Sequence, residues 1–282
     1  MKKYNDDVSV LLITLNNASD IDRVLSSILK SNPGQLIISD GGSSDETVEL
    51  SKKYTSDVYV GDKGRSNQIN LGLTKANGKY IIFIEGDHEY SENFISELKN
   101  EFNSNDFFGL QATLECQLEN NFFEKGISQF YKIHQYKKGQ KEMIGGPNIF
   151  NYDNYMSQLS NINTQGYGVD TALGEILKRK NLKVGLGHTV AFQHQVLDYK
   201  IFLKKYFYYG KGDYDFYRNH KSEWTTRRKL ESVFHVFNRY VIDYPAKSFI
   251  VGKPHIAIPY LWASAVVRYC GWIYSFLKNI RR

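Results

Sequence analysis

The sequence predicts an α/β fold in which a mainly parallel sheet is flanked by helices, with a helical extension at the C-terminal end. Two observations support this fold class. Residues 8–90 alternate between short apolar runs and amphipathic helical patterns. The apolar runs are also nearly continuous, which is typical of strands buried on both faces of a sheet. Strands that alternate with helices in this order pair in parallel.

The first two strands are predicted at residues 8–14 (VSVLLIT) and 35–40 (QLIISD). Between them, over residues 21–29, apolar side chains recur every three or four positions, as they do on one face of a helix. After the second strand, Ser43 and Glu46 have the spacing of a capping box, which predicts the start of a second helix.

Two further strands are predicted at residues 57–61 (DVYVG) and 80–84 (YIIFI), separated by a helix over residues 64–76. Residues 105–195 follow a less regular pattern that includes a strand at 112–118, a turn and strand at 144–150, and an amphipathic helix over 168–180. This middle part of the chain is therefore the least predictable from periodicity alone.

Composition and cysteine content restrict the class of protein. The chain has 282 residues, of which 41% are hydrophobic and 23% charged, as in ordinary globular proteins. Its two cysteines, Cys116 and Cys270, lie far apart, which argues against a disulfide framework and favours a reducing compartment. The opening MKKYNDDVSV lacks the apolar stretch of a signal peptide. We expect a cytoplasmic protein.

Polar side chains follow three of the predicted strands, at residues 14–17, 40–42 and 85–87. Because the carboxyl ends of parallel strands meet at one edge of a sheet, we expect these groups to lie together. Glu85 and Asp87 supply hard oxygen ligands of the kind that suits Mg²⁺ or Mn²⁺, usually shared with the phosphates of a substrate. The neighbouring His88 is either a further ligand or a surface histidine.

Six stretches, taken in order, resemble those of the family 2 glycosyltransferases with the GT-A fold. The resemblance covers about residues 8–215 and implies a Rossmann-like, metal-dependent catalytic domain over residues 1–198. It implies an inverting enzyme that moves a sugar from a nucleotide-diphosphate sugar, UDP- or GDP-linked, to a hydroxyl of a glycan or lipid-linked acceptor. Glycan or polysaccharide biosynthesis is the expected context. The stretches are VSVLLITLNN, LIISDGGSSDET, GRSNQINLGLTKANGKYIIFIEGD, GGPNIF, GVDTALGEILKRKNLKV and HTVAFQHQVLDYKIFLKKYFYYGKG.

The resemblance also implies roles on the donor side, which corresponds to residues 1–105. Asp40 would bond the nucleotide base, with Thr14 and Asn16 nearby. Arg65 would contact the diphosphate, for which a guanidinium has suitable geometry.

Metal and acceptor roles follow from the same resemblance. Glu85 and Asp87 would hold a Mn²⁺ or Mg²⁺ ion together with the diphosphate, and His194 would be a further ligand of the metal or diphosphate. In the acceptor half, residues 106–198, Gly146 belongs to the acceptor-side turn. Asp170 would be the general base.

Two departures from the family pattern keep alternatives open. The family usually has aspartate where this chain has Glu85, and an acidic residue where it has Val169. Asp170 can alternatively cap the helix that follows it. A non-catalytic protein that binds nucleotide sugars or glycans remains an alternative. A sugar-1-phosphate nucleotidyltransferase would need a glycine-rich loop with a lysine after the first strand, and TLNNASD has neither.

The C-terminal region, residues 199–282, is basic and rich in aromatic side chains. From Lys200 onwards, the chain contains 16 basic and five acidic side chains. Arg268 interrupts the closing apolar stretch, so we expect an interfacial helix on an anionic membrane surface rather than a clean span. The alternative is a helix packed on the catalytic domain or on a second subunit of a homo-oligomer. Interleaved aromatic and basic side chains can also stack on nucleic acid, but the apolar tail favours membrane, and we expect no nucleic-acid partner.

Overall fold

The structure is a computed structural model that describes residues 5–159 and 169–280. The strands are β1 (Val8–Thr14), β2 (Gln35–Asp40), β3 (Val58–Val60), β4 (Tyr80–Ile84), β5 (His88–Tyr90), β6 (Gly109–Cys116), β7 (Gly139–Lys141), β8 (Asn148–Asn151) and β9 (Val184–Gln193). The α-helices are α1 (Ile21–Lys30), α2 (Thr47–Ser51), α3 (Arg65–Leu73), α4 (Phe94–Asn103), α5 (Phe122–His134), α6 (Tyr152–Leu159), α7 (Val169–Arg179), α8 (Tyr199–His220), α9 (Thr226–Phe237), α10 (Tyr244–Val251) and α11 (Pro254–Ile280). A 3₁₀ turn (Lys221–Glu223) follows α8, and a π-helical segment (Asn238–Asp243) joins α9 to α10.

The strands form one sheet in the order β3-β2-β1-β4-β8-β6-β9-β5, with β7 paired to β9. The pairs within β3-β2-β1-β4 are parallel, as the alternating sequence pattern predicts. Beyond β4, strand β8 runs antiparallel to both β4 and β6, and β9 runs antiparallel to both β5 and β7. The parallel half therefore carries the three polar strand ends.

The central strands are buried because helices cover both faces of the sheet. Leu11, Ile37 and Ile81, on three neighbouring strands, form one apolar layer. Leu173 and Leu177 of α7 belong to the same cluster, so this helix is held against the sheet by apolar packing. The ends of β1, β2 and β4 consequently project from a well-packed support.

The chain divides into two compact units. Among the described residues, unit 1 comprises 5–114, 137–159 and 169–194, and unit 2 comprises 115–136 and 195–280. The sequence places a domain boundary at residue 198, close to the second entry into unit 2. It does not separate residues 115–136 from their surroundings, because α5 has the apolar period of any helix that packs on a core. Which function belongs to which part of the chain stays a prediction.

One local prediction in unit 1 is wrong. Ser43 does not cap α2, because its hydroxyl donates to Asp40 Oδ2 at 2.5 Å. The residue that organises the start of α2 is Asp45, whose Oδ1 accepts bonds from both the backbone nitrogen and the hydroxyl of Thr47. Ser43 therefore belongs to the turn after β2, and the capping-box spacing does not mark the start of α2.

Unit 2 is a helical assembly with an aromatic core. Phe202 and Tyr206 of α8 pack with Tyr260 of α11, and the hydroxyl oxygens of Tyr206 and Tyr260 lie 2.9 Å apart. Each buried hydroxyl thereby gains a hydrogen-bond partner, which keeps the burial of these tyrosines favourable. The high aromatic content of the C-terminal region is in this way partly explained by its own core.

Helices α8 and α11 approach one another at two glycines. A Cβ at Gly210 would overlap the carbonyl oxygen of Arg268, and a Cβ at Gly271 would overlap the carbonyl oxygen of Phe207. The two backbones can come this close only because neither glycine has a side chain. Here the charge in the middle of α11 is also neutralised, since Arg268 forms a two-pronged ion pair with Asp213 of α8, at 2.5 and 2.7 Å.

Helix α11 is long and apolar enough, by length and composition, to cross a bilayer. Within the described residues it is the one helix that meets these two conditions, and 33% of its most apolar 18-residue window is buried in the structure. A single helix of this kind is weak support for a membrane span, because core helices of soluble proteins also meet both conditions.

His235 of α9 gives unit 2 a pH-dependent stability. Burial lowers the pKa of this imidazole below its ordinary value of 6.5, and the Asp213 carboxylate, 3.7 Å away, opposes that shift without cancelling it. The unfolded chain therefore takes up the proton first as pH falls below about 6.5, and stability present above that pH is lost. We expect the thermal midpoint to fall between about pH 7.5 and about pH 5.5.

The control for this prediction is His235→Gln, which cannot titrate. The wild-type midpoint minus the variant midpoint should decrease as pH falls, because only the wild type loses stability at this site. A constant difference across that pH range would contradict the prediction.

Candidate functional site

Two of the polar strand ends are direct neighbours in the sheet. Thr14 and Asp40 are register partners at the ends of β1 and β2, and Thr14 is nearly fully buried. The Thr14 carbonyl oxygen accepts bonds from Gly41 N at 2.9 Å and from Gln68 Nε2 at 2.6 Å. Gln68 also donates to Ser39 O, so one buried amide of α3 fixes both strand ends. Sequence reasoning missed Gln68, since a glutamine in a helical pattern gives no signal of such a role.

The carboxylate of Asp40 is fully buried and is used within its own turn. Its Oδ1 accepts bonds from the backbone nitrogens of Gly42 and Ser43, at 2.9 and 2.6 Å, and its Oδ2 accepts from the Ser43 hydroxyl. For Asp40 to bond a nucleotide base, its fully buried carboxylate would have to become accessible. The turn it stabilises is the one that leads into the predicted nucleotide site.

Asn16 and Asn17 connect the three strand ends. Asn16 has a φ of 52°, a left-handed conformation that asparagine tolerates, and its Oδ1 accepts from Ser44 N at 2.8 Å. Asn17 donates from its backbone nitrogen to Thr47 Oγ1 and from its side-chain amide to Gly86 O, at 2.7 and 2.9 Å. These bonds link the loop after β1 to those after β2 and β4, so the predicted convergence is present in the structure.

Three predicted site residues, Glu85 among them, lie against one another. Arg65, at the start of α3, donates to Glu85 Oε1 at 2.8 Å. A Cβ at Gly146 would overlap the same oxygen, so the glycine provides the space in which this carboxylate lies. Arg65 and Gly146, predicted to touch substrate, and Glu85, predicted to bind metal, therefore form one cluster within unit 1.

Asp87 is held by partners on the neighbouring strands. Its Oδ2 accepts from Gln193 Nε2 at 3.0 Å, and its carbonyl oxygen accepts from His194 N at 2.8 Å. His88 Nδ1 lies 2.8 Å from Asp87 Oδ1, although the contact does not have hydrogen-bond geometry. The prediction of a surface histidine is wrong, because His88 is buried and stacks with Tyr90.

Gln193 is a second residue that sequence reasoning missed. It faces His88 in the β5–β9 register, which brings its amide to the carboxylate of Asp87. Residues that orient a carboxylate in this way tune its availability as a ligand. No sequence signal reveals the pairing, because the two strands lie about a hundred residues apart in the chain.

The donor groups fit a divalent cation that is shared with a substrate. Among the described side chains, those of residues 5–159 and 173–280, no group of three or more histidine, cysteine, aspartate or glutamate residues is gathered closely enough to hold a metal ion. Mg²⁺ and Mn²⁺ are commonly held by one or two carboxylates together with phosphate oxygens and water, rather than by a complete protein cage. Glu85 and Asp87 have the hard oxygens that such a shared site needs.

A cavity of about 50 Å³ lies beside this cluster in unit 1. Arg65, Glu85 and Asn148 are among its polar lining residues, and most of the others are apolar. Leu173 of α7 also lines it. The backbone of Asp170 lies in the first turn of α7, whereas its side chain lies outside the described residues. Helix α7 therefore reaches the site less than one turn after the predicted base.

Comparison with known proteins identifies the family. Residues 9–159, more than half of the chain, match the family described as Glycosyl transferase family 2. The chain belongs to this family. The resemblance to this family is thereby confirmed, and the first four of the six stretches lie within the matched part of the chain apart from Val8.

A curated protein gives a partial match. It is the poly(ribitol-phosphate) β-N-acetylglucosaminyltransferase TarP of Staphylococcus aureus (strain N315), which is 34% identical over 104 residues. The match covers 33% of this chain and 32% of the relative, so this chain spans about a third of the length of that protein.

Solved structures support the fold. A mycobacterial protein has a TM-score of 0.53 at 16% identity, with 74% of each chain covered. Glucosyl-3-phosphoglycerate synthase from Mycobacterium tuberculosis, in complex with Mn²⁺ and UDP-glucose, has a TM-score of 0.51 at 16% identity, with 68% of this chain and 72% of that chain covered. At this identity the likeness concerns fold alone, and it confirms the predicted GT-A type of α/β architecture.

Proposed function

We propose that this family 2 member is an inverting, metal-dependent glycosyltransferase. It would move a sugar from a UDP- or GDP-linked donor to a hydroxyl of a glycan or lipid-linked acceptor. The observation that carries the proposal is the convergence of three parallel strand ends, bonded through Asn17, at an edge that presents the carboxylates of Glu85 and Asp87. Ligands of open α/β sheets bind at this edge.

On the donor side, the chain offers groups for a nucleotide and for a diphosphate. Thr14 and Asn16 lie at the end of β1 beside Asp40, where the nucleotide would be held. Glu85 and Asp87 would hold a Mn²⁺ or Mg²⁺ ion, which when bound neutralises charge that builds on a leaving diphosphate. Arg65, now 2.8 Å from Glu85, would give its guanidinium to the same diphosphate.

On the acceptor side, Asp170 would take the proton from the attacking hydroxyl. The acceptor oxygen forms the new bond to the anomeric carbon as the bond to the diphosphate breaks, and this single displacement inverts the anomeric centre. The Gly146 turn would border the acceptor and leave Glu85 its space. No protein nucleophile is required.

The relatives suggest which substrates to test first. The structure of the synthase with Mn²⁺ and UDP-glucose supports a UDP-linked donor and a divalent cation. TarP, by its name, transfers N-acetylglucosamine to poly(ribitol-phosphate), which supports trying UDP-N-acetylglucosamine with an anionic polymer as acceptor.

A second candidate function is that of a non-catalytic binder of nucleotide sugars. The observation that favours it is the ion pair between Arg65 and Glu85, which occupies a carboxylate that the mechanism needs for metal. Val169, where the family usually has an acidic residue, points the same way.

The test is a calorimetric titration of UDP and of GDP into the purified protein, with Mn²⁺ or with EDTA. We expect one nucleotide to bind only with Mn²⁺, and we expect Asp87→Ala to weaken that binding at least about tenfold because one of two hard ligands is lost. Glu89→Gln is the matched control, since this nearby carboxylate pairs with Arg23 at 3.4 Å instead.

Two results would count against the proposal. If neither nucleotide binds in a metal-dependent way, the donor site is wrong. If one binds but its sugar derivative is neither hydrolysed nor transferred with Mn²⁺ present, the non-catalytic function is the better conclusion.

A further inference from the structure

Helix α11 presents an apolar side to solvent along almost its whole length. Five side chains at helical spacing form this α11 face, with exposures between 50% and 64%. They are Trp262, Val266, Ile273, Leu277 and Ile280. A surface helix of an ordinary globular protein has its polar side chains outside and its apolar ones inside. In α11 the outward side is apolar over about five turns.

The one charged residue in the middle of α11 does not interrupt this apolar face. Arg268 is the one charged residue between His255 and Lys278, and its guanidinium is engaged by Asp213 of α8. The outward side of this part of the helix therefore carries no ionised group. Such a face can enter an apolar medium without the free-energy cost of burying a charge.

Apolar exposure continues on the neighbouring helices. Leu230, Phe234 and Phe237 are spaced by four and three residues along α9 and are 43–55% exposed. The hydroxyl of Tyr269 joins α9 to α11, since it accepts from Phe237 N at 3.1 Å and donates to Val233 O at 3.0 Å. On α10, the adjacent Phe249 and Ile250 are each 73% exposed. Exposed apolar side chains in such number on three helices of one unit indicate an interaction surface.

Charge identifies the kind of partner. The region from Lys200 onwards has 16 basic and five acidic side chains. Exposed cations lie close to the apolar positions, with Arg239 two residues after Phe237 and Lys278 one residue after Leu277 at the end of the α11 face. A basic rim around an apolar face complements an anionic lipid surface, whereas two copies of the same face would bring like charges together.

Trp262 and Tyr274 strengthen this choice of partner. Both are about half exposed on α11, and both side chains combine an apolar ring with a polar group, which suits the headgroup region of a bilayer. We propose that unit 2 docks on an anionic bilayer surface through the α11 face and the exposed apolar side chains of α9 and α10. The inference depends on the surface of unit 2 alone and stands apart from the proposed reaction.

The test is flotation of the full-length protein with vesicles of phosphatidylcholine, with and without phosphatidylglycerol. We expect binding to the anionic vesicles, weakened at high salt because screening shortens the reach of the basic rim. Ile273→Glu should lower partitioning by about tenfold or more, since it places a carboxylate in the docking face. Val60→Glu is the control, because Val60 is a similarly exposed aliphatic residue of unit 1, at 58% against 50%.

Light scattering on the same proteins separates a bilayer from a second copy. We expect the same molar mass for wild type and Ile273→Glu, with unchanged circular dichroism. A wild-type dimer that Ile273→Glu converts to monomer would overturn the proposal in favour of a homodimer. Absence of vesicle binding, equal binding to neutral and anionic vesicles, or equal loss in Val60→Glu would each overturn it as well.

Discussion

Asp170→Asn is expected to lower turnover by about two to four orders of magnitude, the range that general base catalysis contributes. Donor affinity should change by less than about twofold, because the amide keeps the size of the carboxylate and the role proposed for Asp170 concerns the acceptor. The measurement is single-turnover product formation, combined with titration of the donor nucleotide in the presence of Mn²⁺.

Described neighbours of Asp170 support this expectation. Leu173 lines the same cavity as Glu85 and Arg65, and Gly174 comes so close to Met143 that a Cβ there would lie 2.8 Å from Met143 Cγ. Leu173 and Gly174 of α7 thus hold this helix beside residues 142–146 and the cavity that Glu85 lines.

Asp153→Asn is the matched control, since Asp153 is an exposed carboxylate in the first turn of the neighbouring helix α6. It should leave turnover unchanged. If Asp170→Asn reduced turnover and donor affinity to the same extent, the residue would have a structural role in the first turn of α7 rather than that of a base.

The second large effect is expected in unit 2. Asp213→Ala should destabilise the protein by about 3 kcal/mol, because it leaves the guanidinium of Arg268 buried without its carboxylate. Burial alone would lower the pKa of Arg268, but the facing Asp213 outweighs burial and raises that pKa well above its ordinary value. The arginine therefore stays charged and has little alternative to this partner. Urea denaturation followed by circular dichroism measures the loss.

Two further variants make this result specific. Asp215→Ala removes an exposed carboxylate from the same helix and should change stability by less than about 0.5 kcal/mol. The double variant Asp213→Leu with Arg268→Leu should recover most of the stability, since an apolar pair has no buried charge to solvate. A single variant as stable as wild type would mean that solvent already satisfies the arginine.

The parallel half of the sheet was predictable because its signals are local. Each of β1, β2 and β4 is a short apolar run whose side chains are buried by helices with a clear period. Parallel pairing then places the polar strand ends at one edge without any knowledge of long-range contacts. The family resemblance added roles for residues that periodicity can only place.

The contacts that organise the site were not predictable in this way. The ion pair between Arg65 and Glu85 joins residues that are 20 positions apart, and the bond from Gln193 to Asp87 joins residues that are 106 apart. Both depend on strand register and helix placement, which a single sequence does not encode in any short pattern. The same holds for Arg268, which interrupts an apolar stretch in the sequence but finds its counter-ion on another helix.

The glycine crossing of α8 and α11 has a mechanical consequence. Because the backbones touch at Gly210 and Gly271, neither helix can slide along or rotate about the other without a steric clash. The two helices, of 22 and 27 residues, are therefore expected to move together as one rigid unit. A displacement of the last turns of α11 is therefore expected to displace α8 as well.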